Sequence, residues 1–237
     1  MSEKQEKILL FGYGRYGEQI TQSLLSGGYE VYVVDESKEA LKRASIHNIE
    51  NIFLIDIDDD EKLTDLLFDY GFEKIFCAYD DEEKNIYLTI TFKALFHNIQ
   101  VFALCESKES ERKLHLAGAD RVIDTMEAAA NRMFFLVEKP AVAEAFDHIL
   151  LKDPNIIFKE IVVPKGSFLD GVNIKDINFS KEYDILVIGI VDKELGDHFT
   201  FVTRGINHKI DAEDILVVIG KRENIERFEH TLEESKV

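Results

Sequence analysis

Residues 8–17 read I-L-L-F-G-Y-G-R-Y-G, an apolar run that leads into three glycines with the spacing G-x-G-x-x-G. The apolar run predicts a strand buried on both faces, and the glycines predict a tight turn into a helix over about residues 16–26. In this interpretation Gly12 allows the turn, Gly14 lets the backbone approach a pyrophosphate, and Gly17 lets the helix pack against the strand. The start of the helix would then point its free N–H groups at the phosphates.

A second predicted strand, over residues 31–34, is followed by Asp35 and Glu36. A carboxylate in this place accepts hydrogen bonds from the ribose hydroxyls and repels a 2′-phosphate. The pair therefore disfavours NADP, but it does not distinguish NAD(H) from ATP, ADP or AMP, which share the adenosine ribose. The alternative is an ordinary glycine turn with an acidic residue that caps the next loop.

Strands and helices alternate strictly through the first half of the chain, which predicts a Rossmann-like, doubly wound parallel sheet. The predicted strands cover residues 8–11, 31–34, 52–55, 74–78, 101–104 and 121–123, and the predicted helices cover residues 16–26, 41–46, 63–70, 83–96 and 107–117. Ligands of such sheets bind beyond the carboxyl ends of the strands. Those ends carry Gly12, Asp35, Asp56, Ala78, Tyr79, Asp80 and Glu106.

The pattern of predicted secondary structure changes twice after the sheet. Residues 125–151 read as two helices separated at Pro140, and the apolar run from Met133 to Val137 needs a partner, either on another subunit or on its own domain. After Pro154, strands over residues 156–163, 184–191, 199–203 and 215–220, with helices over 174–177 and 223–232, predict a smaller antiparallel α+β domain. We therefore expect domains over residues 1–124 and 154–237, joined by crossover helices over 125–153.

Charge and hydropathy exclude several classes of protein. The net charge of −18 over 237 residues argues against nucleic-acid partners. The longest apolar run, residues 185–191, is too short to cross a bilayer, and residues 1–4 lack the apolar core of a signal peptide. We expect a cytoplasmic protein that reaches the membrane only through a partner. Cys77 and Cys105 end predicted strands and are interpreted as inert core thiols.

The order of these parts resembles the RCK family (regulator of K+ conductance), with TrkA-N and TrkA-C domains, found on potassium channels and Trk/Ktr potassium transporters. In the first half the resemblance rests on the glycine motif with Arg15, on Asp35 and Asp56, on the turn from Tyr79 to Asn85, and on A-G-A-D-R-V-I at residues 117–123. In the second half it rests on V-V-P-K-G-S at 162–167, Gly171, and D-I-L-V-V-I-G at 214–220. It covers nearly the whole chain.

The resemblance implies a regulatory module without catalytic residues. Family members pair through the crossover helices as homodimers, assemble into an octameric ring beneath a membrane pore at the inner face of the cell membrane, and respond to NAD(H), ATP, ADP or AMP. Residues Met133 to Val137 would form the subunit contact. Two alternatives remain open: an NAD-dependent oxidoreductase, which only the first half supports, and a regulatory module of a cation/proton antiporter.

For the nucleotide we expect Tyr13, Arg15 and Tyr16 near the phosphates and Asp35 at the ribose. By resemblance, Asp56 meets the adenine amino group. The complete predicted set is Gly12, Tyr13, Gly14, Arg15, Tyr16, Gly17, Asp35, Glu36, Asp56, Ile57, Ala78, Tyr79, Asp80, Asn85 and Glu106.

A metal site has less support. The acidic run at residues 56–61 fails as an EF-hand loop, because Glu61 and Leu67 stand where glycine and a bidentate acid are needed. This run and the one at 80–83 are better interpreted as helix starts. Glu106 resembles one carboxylate of calcium-gated members, but Leu104 replaces its neighbour, so a divalent cation stays an open alternative. The histidines show no metal-binding spacing.

Overall fold

The computed structural model describes residues 6–96, 98–147, 155–194, 196, 198–202 and 208–235. Contacts divide the chain into two compact units, one ending at Phe134 and the other beginning at Phe135. The strands are β1 (Lys7–Phe11), β2 (Glu30–Asp35), β3 (Ile52–Leu54), β4 (Lys74–Cys77), β5 (Gln100–Cys105), β6 (Arg121–Asp124), β7 (Ile156–Val162), β8 (Ile185–Asp192), β9 (His198–Phe201) and β10 (Ile215–Lys221). The helices are α1 (Arg15–Ser26), α2 (Lys38–Ile46), α3 (Asp60–Tyr70), α4 (Glu82–Leu95), α5 (Lys108–Leu116), α6 (Thr125–Glu138), α7 (Pro140–Asp147), α8 (Phe179–Tyr183) and α9 (Arg222–Glu234).

The first unit is built on a parallel six-stranded sheet with the order β3-β2-β1-β4-β5-β6. This confirms the predicted Rossmann-like sheet. The strand β1 pairs with β2 on one side and with β4 on the other, so that Leu10 lies opposite both Val33 and Phe76. The strand order reverses between β2 and β4, and this reversal opens a crevice at the carboxyl end of β1.

Both faces of this sheet are covered. Leu9 and Phe11 pack into one apolar cluster, whereas Leu10 packs into a second cluster on the opposite face. Alternation along β1 therefore anchors the strand on both sides, as its continuous apolar sequence predicts. Cys77 and Cys105 are buried free thiols. Burial raises the pKa of the Cys77 thiol to about 12, which fits an inert core residue.

Polar side chains begin four of the helices in this unit. Ser37, Asp59, Asp81 and Ser107 are the N-cap residues of α2, α3, α4 and α5, and each accepts a backbone N–H of its own first turn. The two acidic runs are thus helix starts, as predicted. The helix α3 ends at Gly71 in a left-handed conformation, again as predicted.

The helices α6 and α7 follow β6. Every residue of α6 is at least partly exposed, and in α7 Ala143 is the buried residue. Pro140 is the first residue of α7, where its missing N–H costs nothing. The predicted second helix ran to residue 151, and residues 148–151 lie outside the described part of the chain.

The second unit contains an antiparallel four-stranded sheet with the order β7-β10-β8-β9. Its core includes Leu216 and Val218 of β10 and Phe228 of α9, all fully buried. This sheet and helix confirm the predicted fold class of the second unit, antiparallel α+β.

Local details of the second unit differ from the prediction. The helix α8 was missed, because a five-residue helix is too short to show a periodic pattern. Asp184, the predicted first residue of a strand, instead ends α8 in a left-handed conformation. A 3-10 helix at Ile174–Asp176 replaces the predicted helix over 174–177. The predicted end of β9 at residue 203 lies outside the described residues.

Candidate functional site

The glycine turn lies at the carboxyl end of β1. Gly12 has a φ of +91° and donates its N–H to the carbonyl of Val34 at 2.9 Å, so the turn is tied to β2. A Cβ on Gly17 would lie 1.8 Å from the carbonyl oxygen of Gly12, a distance that no side chain tolerates. These contacts confirm the roles predicted for Gly12 in the turn and Gly17 in helix packing.

Asp35 ends β2 beside this turn and is only 5% exposed. One of its carboxylate oxygens accepts the N–H of Tyr13 at 2.7 Å, and the other accepts the N–H of Ser37 at 2.8 Å. A carboxylate offers about four lone-pair positions, so about two remain for a ligand. Asp35 therefore also holds the glycine turn in place, a structural role that the sequence did not reveal.

Tyr13 faces away from the crevice. Its ring is fully buried, and its hydroxyl is hydrogen-bonded to Nδ1 of His47 at 3.0 Å. Burial raises the pKa of this hydroxyl above its usual value. The Tyr13 carbonyl accepts a hydrogen bond from Nη2 of Arg43 at 2.7 Å. Because the Tyr13 N–H donates to Asp35 and the Tyr13 carbonyl accepts from Arg43, the backbone of Tyr13 offers no free donor to a phosphate in this arrangement. Arg43 of α2 and His47, which follows α2, are supports that the sequence analysis missed.

Four predicted residues meet in one polar cluster at the start of α1. Nη2 of Arg15 lies 3.4 Å from Glu106, and Nε of Arg15 lies 3.5 Å from Asp80. The Tyr16 hydroxyl donates to the same oxygen of Glu106 at 2.7 Å. The Arg15 side chain is 71% exposed, so it is free to swing toward a ligand. The structure brings these residues together as expected, but it pairs the arginine with carboxylates.

The loop after β4 is fixed by Asn85. This buried amide accepts the N–H of Tyr79 at 2.9 Å and donates to the carbonyls of Tyr79 and Leu104 at 2.9 and 3.0 Å. Asn85 thus joins the ends of β4 and β5, and its side-chain amide forms hydrogen bonds with the backbone. Ala78, at the same end, is fully buried. These two residues shape the floor of the crevice.

Tyr79 and Glu36 lie on the other side of the crevice. The Tyr79 ring is mostly buried, and Nζ of Lys84 lies 5.2 Å from its centre. Burial, with a further contribution from the charge of Asp35, raises the pKa of the Tyr79 hydroxyl far above its usual value. Lys84 also forms an ion pair with Glu36. Lys84 is a second cation of the crevice that the sequence analysis missed.

Asp56 and Ile57 follow β3. Asp56 is exposed, and its Oδ1 accepts the N–H of Asp58 at 3.0 Å. Ile57 is buried in the core beside Leu63 and Leu66. Asp56 is therefore available to a base at this edge of the crevice, whereas the Ile57 side chain belongs to the core.

Thr125, which was not among the predicted residues, contacts this site from α6. Its hydroxyl lies 3.3 Å from the Tyr16 hydroxyl and 3.2 Å from the carbonyl oxygen of Cys105, and it can donate its single proton to either acceptor. As the first residue of α6, it joins the crevice to the crossover helix. A threonine at a strand–helix junction gives no sequence signal for such a contact.

One carboxylate cluster lies outside the crevice. Glu111, Asp124 and Glu127 place one carboxylate oxygen each within 4.8 Å of the others. The ammonium group of Lys108 lies among them and is paired with all three. The ammonium group of Lys108 already acts as a cation in this cluster and offsets one of its three negative charges.

Among the described helices, none combines the length and the apolar character that a membrane span requires.

The sequence matches the TrkA-N domain family over residues 8–125 and the TrkA-C domain family over residues 158–233. Probable potassium channel protein 2 of Methanocaldococcus jannaschii is 23% identical over 243 residues, covering 98% of this chain and 68% of that protein. Ktr system potassium uptake protein C of Bacillus subtilis is 26% identical over 228 residues, covering 95% of this chain and 96% of that protein.

Two solved structures share the fold. The GsuK RCK domain and the GsuK channel bound to NAD each give a TM-score of 0.51 at 18% identity. These matches cover 99% of this chain but 48% and 40% of those chains, so the present chain spans about half or less of their length.

Proposed function

Because the chain belongs to the RCK family, in which a TrkA-N domain precedes a TrkA-C domain, we propose that it is a regulatory module that binds an adenine nucleotide and controls potassium flux through a membrane partner. The observation that carries the proposal is the occurrence of both domains in this order, together with an intact glycine turn held by Asp35 at 2.7 Å.

The nucleotide would lie across the crevice above β1. Gly14, the N-cap residue of α1, has no side chain to cap the helix, so the first N–H groups suit a phosphate once Asp80 releases the N–H of Arg15. The remaining lone pairs of Asp35 suit the ribose hydroxyls, and exposed Asp56 suits the adenine amino group. The GsuK channel, a structural neighbour, binds NAD, which supports NAD(H), ATP, ADP or AMP as the class of ligand.

A membrane-embedded pore or transporter subunit is the proposed partner. The relatives named above are a potassium channel protein and a Ktr potassium uptake protein. The match spans about two thirds of the channel relative. We place the module at the inner face of the cell membrane, where a regulatory domain contacts such a subunit.

We also propose that the chain forms a homodimer and that the dimers assemble into an octameric ring. The basis of this proposal is exposed apolar surface. On α6, Met126 is 61% exposed, Met133 69% and Phe134 59%, which is unusual for large apolar side chains. A ring of dimers needs a second contact on each subunit. Ile90 of α4 and Leu116 of α5, 52% and 76% exposed, line a groove that offers one.

Control of a pore requires differential affinity. A nucleotide shifts the balance between open and closed states only by the ratio of its affinities for the two states. The contact between Tyr16 and Thr125 offers a route from the crevice to α6. Movement of Arg15 or Glu106 toward a ligand would change this contact and thus the helix that we assign to the dimer.

A thermal-shift titration with NAD, NADH, ATP, ADP and AMP tests the proposal. A ligand that binds should raise the melting temperature with the logarithm of its concentration. Asp35→Ala should lose this shift. Because the substitution also leaves the N–H groups of Tyr13 and Ser37 without their acceptor, the matched control is Asn178→Ala, which removes an N-cap hydrogen bond in the other unit. The control should show the full ligand-induced rise in melting temperature. If Asp35→Ala shows the same rise, Asp35 does not belong to the nucleotide site.

The rival interpretation, an NAD-dependent oxidoreductase, predicts turnover. Hydride transfer needs an acid or base placed over the nicotinamide. Incubation with NADH and a panel of small carbonyl compounds should give no substrate-dependent loss of NADH absorbance. Measurable oxidation would favour the enzyme over the sensor.

A further inference from the structure

A carboxylate lies where the first phosphate of a nucleotide would be expected. A Cβ built on Gly14 would lie 2.7 to 2.9 Å from the carboxylate atoms of Asp80. The same carboxylate accepts the N–H of Arg15 at 3.4 Å, so it faces the start of α1. Asp80 therefore places a negative charge at the position that the glycine turn keeps open.

A second carboxylate lies beside the first. Glu106 pairs with Arg15 at 3.4 Å and accepts the Tyr16 hydroxyl at 2.7 Å. Its own N–H donates to Glu82 at 2.6 Å, which fixes the backbone here and leaves the Glu106 side chain directed at Arg15. The side chains of Asp80 and Glu106 are 40% and 38% exposed, so a ligand that enters the crevice can reach both carboxylates. Arg15 thus faces two negative charges.

The balance of charge decides which phosphates fit. The partial positive charge at the start of α1, about +0.5, and the full charge of Arg15 oppose two carboxylates. A dinucleotide brings two diester phosphates with one negative charge each. A terminal phosphate is a monoester that carries about −1.5 to −2 at pH 7, and it would have to enter between Asp80 and Glu106.

We propose that Asp80 and Glu106 are specificity-determining residues that favour a dinucleotide such as NAD(H) over nucleoside di- and triphosphates. This inference rests on the proposed nucleotide site and adds its ligand class. Either ligand must displace the Asp80 carboxylate from its place beside Gly14. Only a terminal phosphate must also displace the Arg15 side chain from Asp80 and Glu106. Selection acts through repulsion of the wrong ligand as well as attraction of the right one.

Equilibrium binding of NAD and of ATP, measured by calorimetry in EDTA at low ionic strength, tests the inference. The wild type should bind NAD about tenfold or more tighter than ATP. Asp80→Asn and Glu106→Gln keep the shape and the acceptor atoms but remove one charge each. Each should raise the affinity for ATP relative to NAD by about tenfold. Added salt should reduce the wild-type ratio.

The matched control is Glu83→Gln, which removes the same charge from an exposed residue of α4 that pairs with Lys113 instead of Arg15. The control should leave the NAD/ATP ratio unchanged. Equal binding of NAD and ATP by the wild type, or the same ratio in all four proteins, would overturn the inference while leaving a nucleotide site intact. Failure of NAD, ATP and AMP to bind any of the four would overturn the proposed function itself.

Discussion

The hydroxyl of Thr125, the first residue of α6, lies 3.3 Å from the hydroxyl of Tyr16, the second residue of α1. Tyr16 in turn donates to Glu106, which also pairs with Arg15. This short chain of hydrogen bonds joins the residues that we assign to phosphate binding with the helix that we assign to the dimer. A packed, hydrogen-bonded link of this kind can transmit a binding event only if it has two arrangements.

We predict that Tyr16→Phe uncouples α6 from the crevice without abolishing nucleotide binding. The ring stays, but the hydroxyl between Glu106 and Thr125 is lost. In the wild type, saturating NAD should change the hydrogen exchange of the first turns of α6. In the variant, at an NAD concentration that saturates it, this change should fall to background.

The control for this experiment is Tyr29→Phe, which removes a tyrosine hydroxyl from the loop before β2. It should behave as the wild type. A nucleotide-dependent change in α6 that persists in Tyr16→Phe would show that the signal takes another route.

A second prediction concerns the turn. Gly17→Ala should destabilise the first unit by about 3 kcal/mol or more, because the new methyl group would lie 1.8 Å from the Gly12 carbonyl oxygen. The free energy of unfolding from urea denaturation measures this loss. Gly27→Ala, where the nearest carbonyl lies 3.3 Å away and φ is −78°, should cost less than about 1 kcal/mol. Equal losses for the two variants would contradict the packing argument.

A third prediction concerns the exposed surface of α6. Met126 and Met133 are seven residues apart and therefore lie on one face of the helix. The double variant Met126→Asp and Met133→Asp should convert the oligomer to a monomer in light scattering at about 10 μM, because each aspartate would place a charge in an apolar contact. Circular dichroism should be unchanged, since both side chains are exposed in the single chain.

Asn131→Asp adds one negative charge on the opposite face of the same helix and should leave the oligomer intact. A wild-type protein that is monomeric across the same concentrations would refute the dimer surface directly.

Much of the fold could be predicted from the sequence because strand ends and helix ends carry local signals. Gly12 in the turn and Gly71 at the helix stop adopt backbone conformations that other residues avoid, and Gly17 leaves space that a Cβ would fill. The alternation of elements fixes a parallel sheet, and a parallel sheet places all its strand ends on one edge. Residues that follow strands, such as Asp80 and Glu106, could therefore be assigned to one site.

The direction of individual side chains could not be predicted in this way. Tyr13 stands between two glycines of a surface turn, yet its ring is buried against α2. Arg43 of α2 and His47, which follows α2, support that turn, and their sequence context is that of an ordinary amphipathic helix. The pairing of Arg15 with two carboxylates also depends on side-chain geometry across three strand ends. Such contacts arise from packing across long sequence separations, which local patterns do not encode.

The last prediction concerns alkaline pH. Tyr32 is 4% exposed, and its hydroxyl donates to Glu30 at 2.6 Å. Burial, with the hydrogen bond to Glu30 as the next cause, raises the pKa of Tyr32 from 10.0 to about 12. Below pH 10 both folded and unfolded states hold the proton, so Tyr32 adds no pH dependence there. Above pH 10 the unfolded state releases the proton first, so the free energy of unfolding must fall as pH rises toward 12.

The loss due to Tyr32 should reach at most about 3 kcal/mol. Urea denaturation at a series of pH values measures it. The variant Tyr32→Phe has no proton to release at this position, so its stability should fall less steeply over the same range. Some slope should remain in the variant, because burial also raises the pKa of Tyr13 and Tyr79. If wild type and variant lose stability in parallel, Tyr32 ionises normally in the folded protein, and its tight packing between the sheet and Tyr70 would have to be revised.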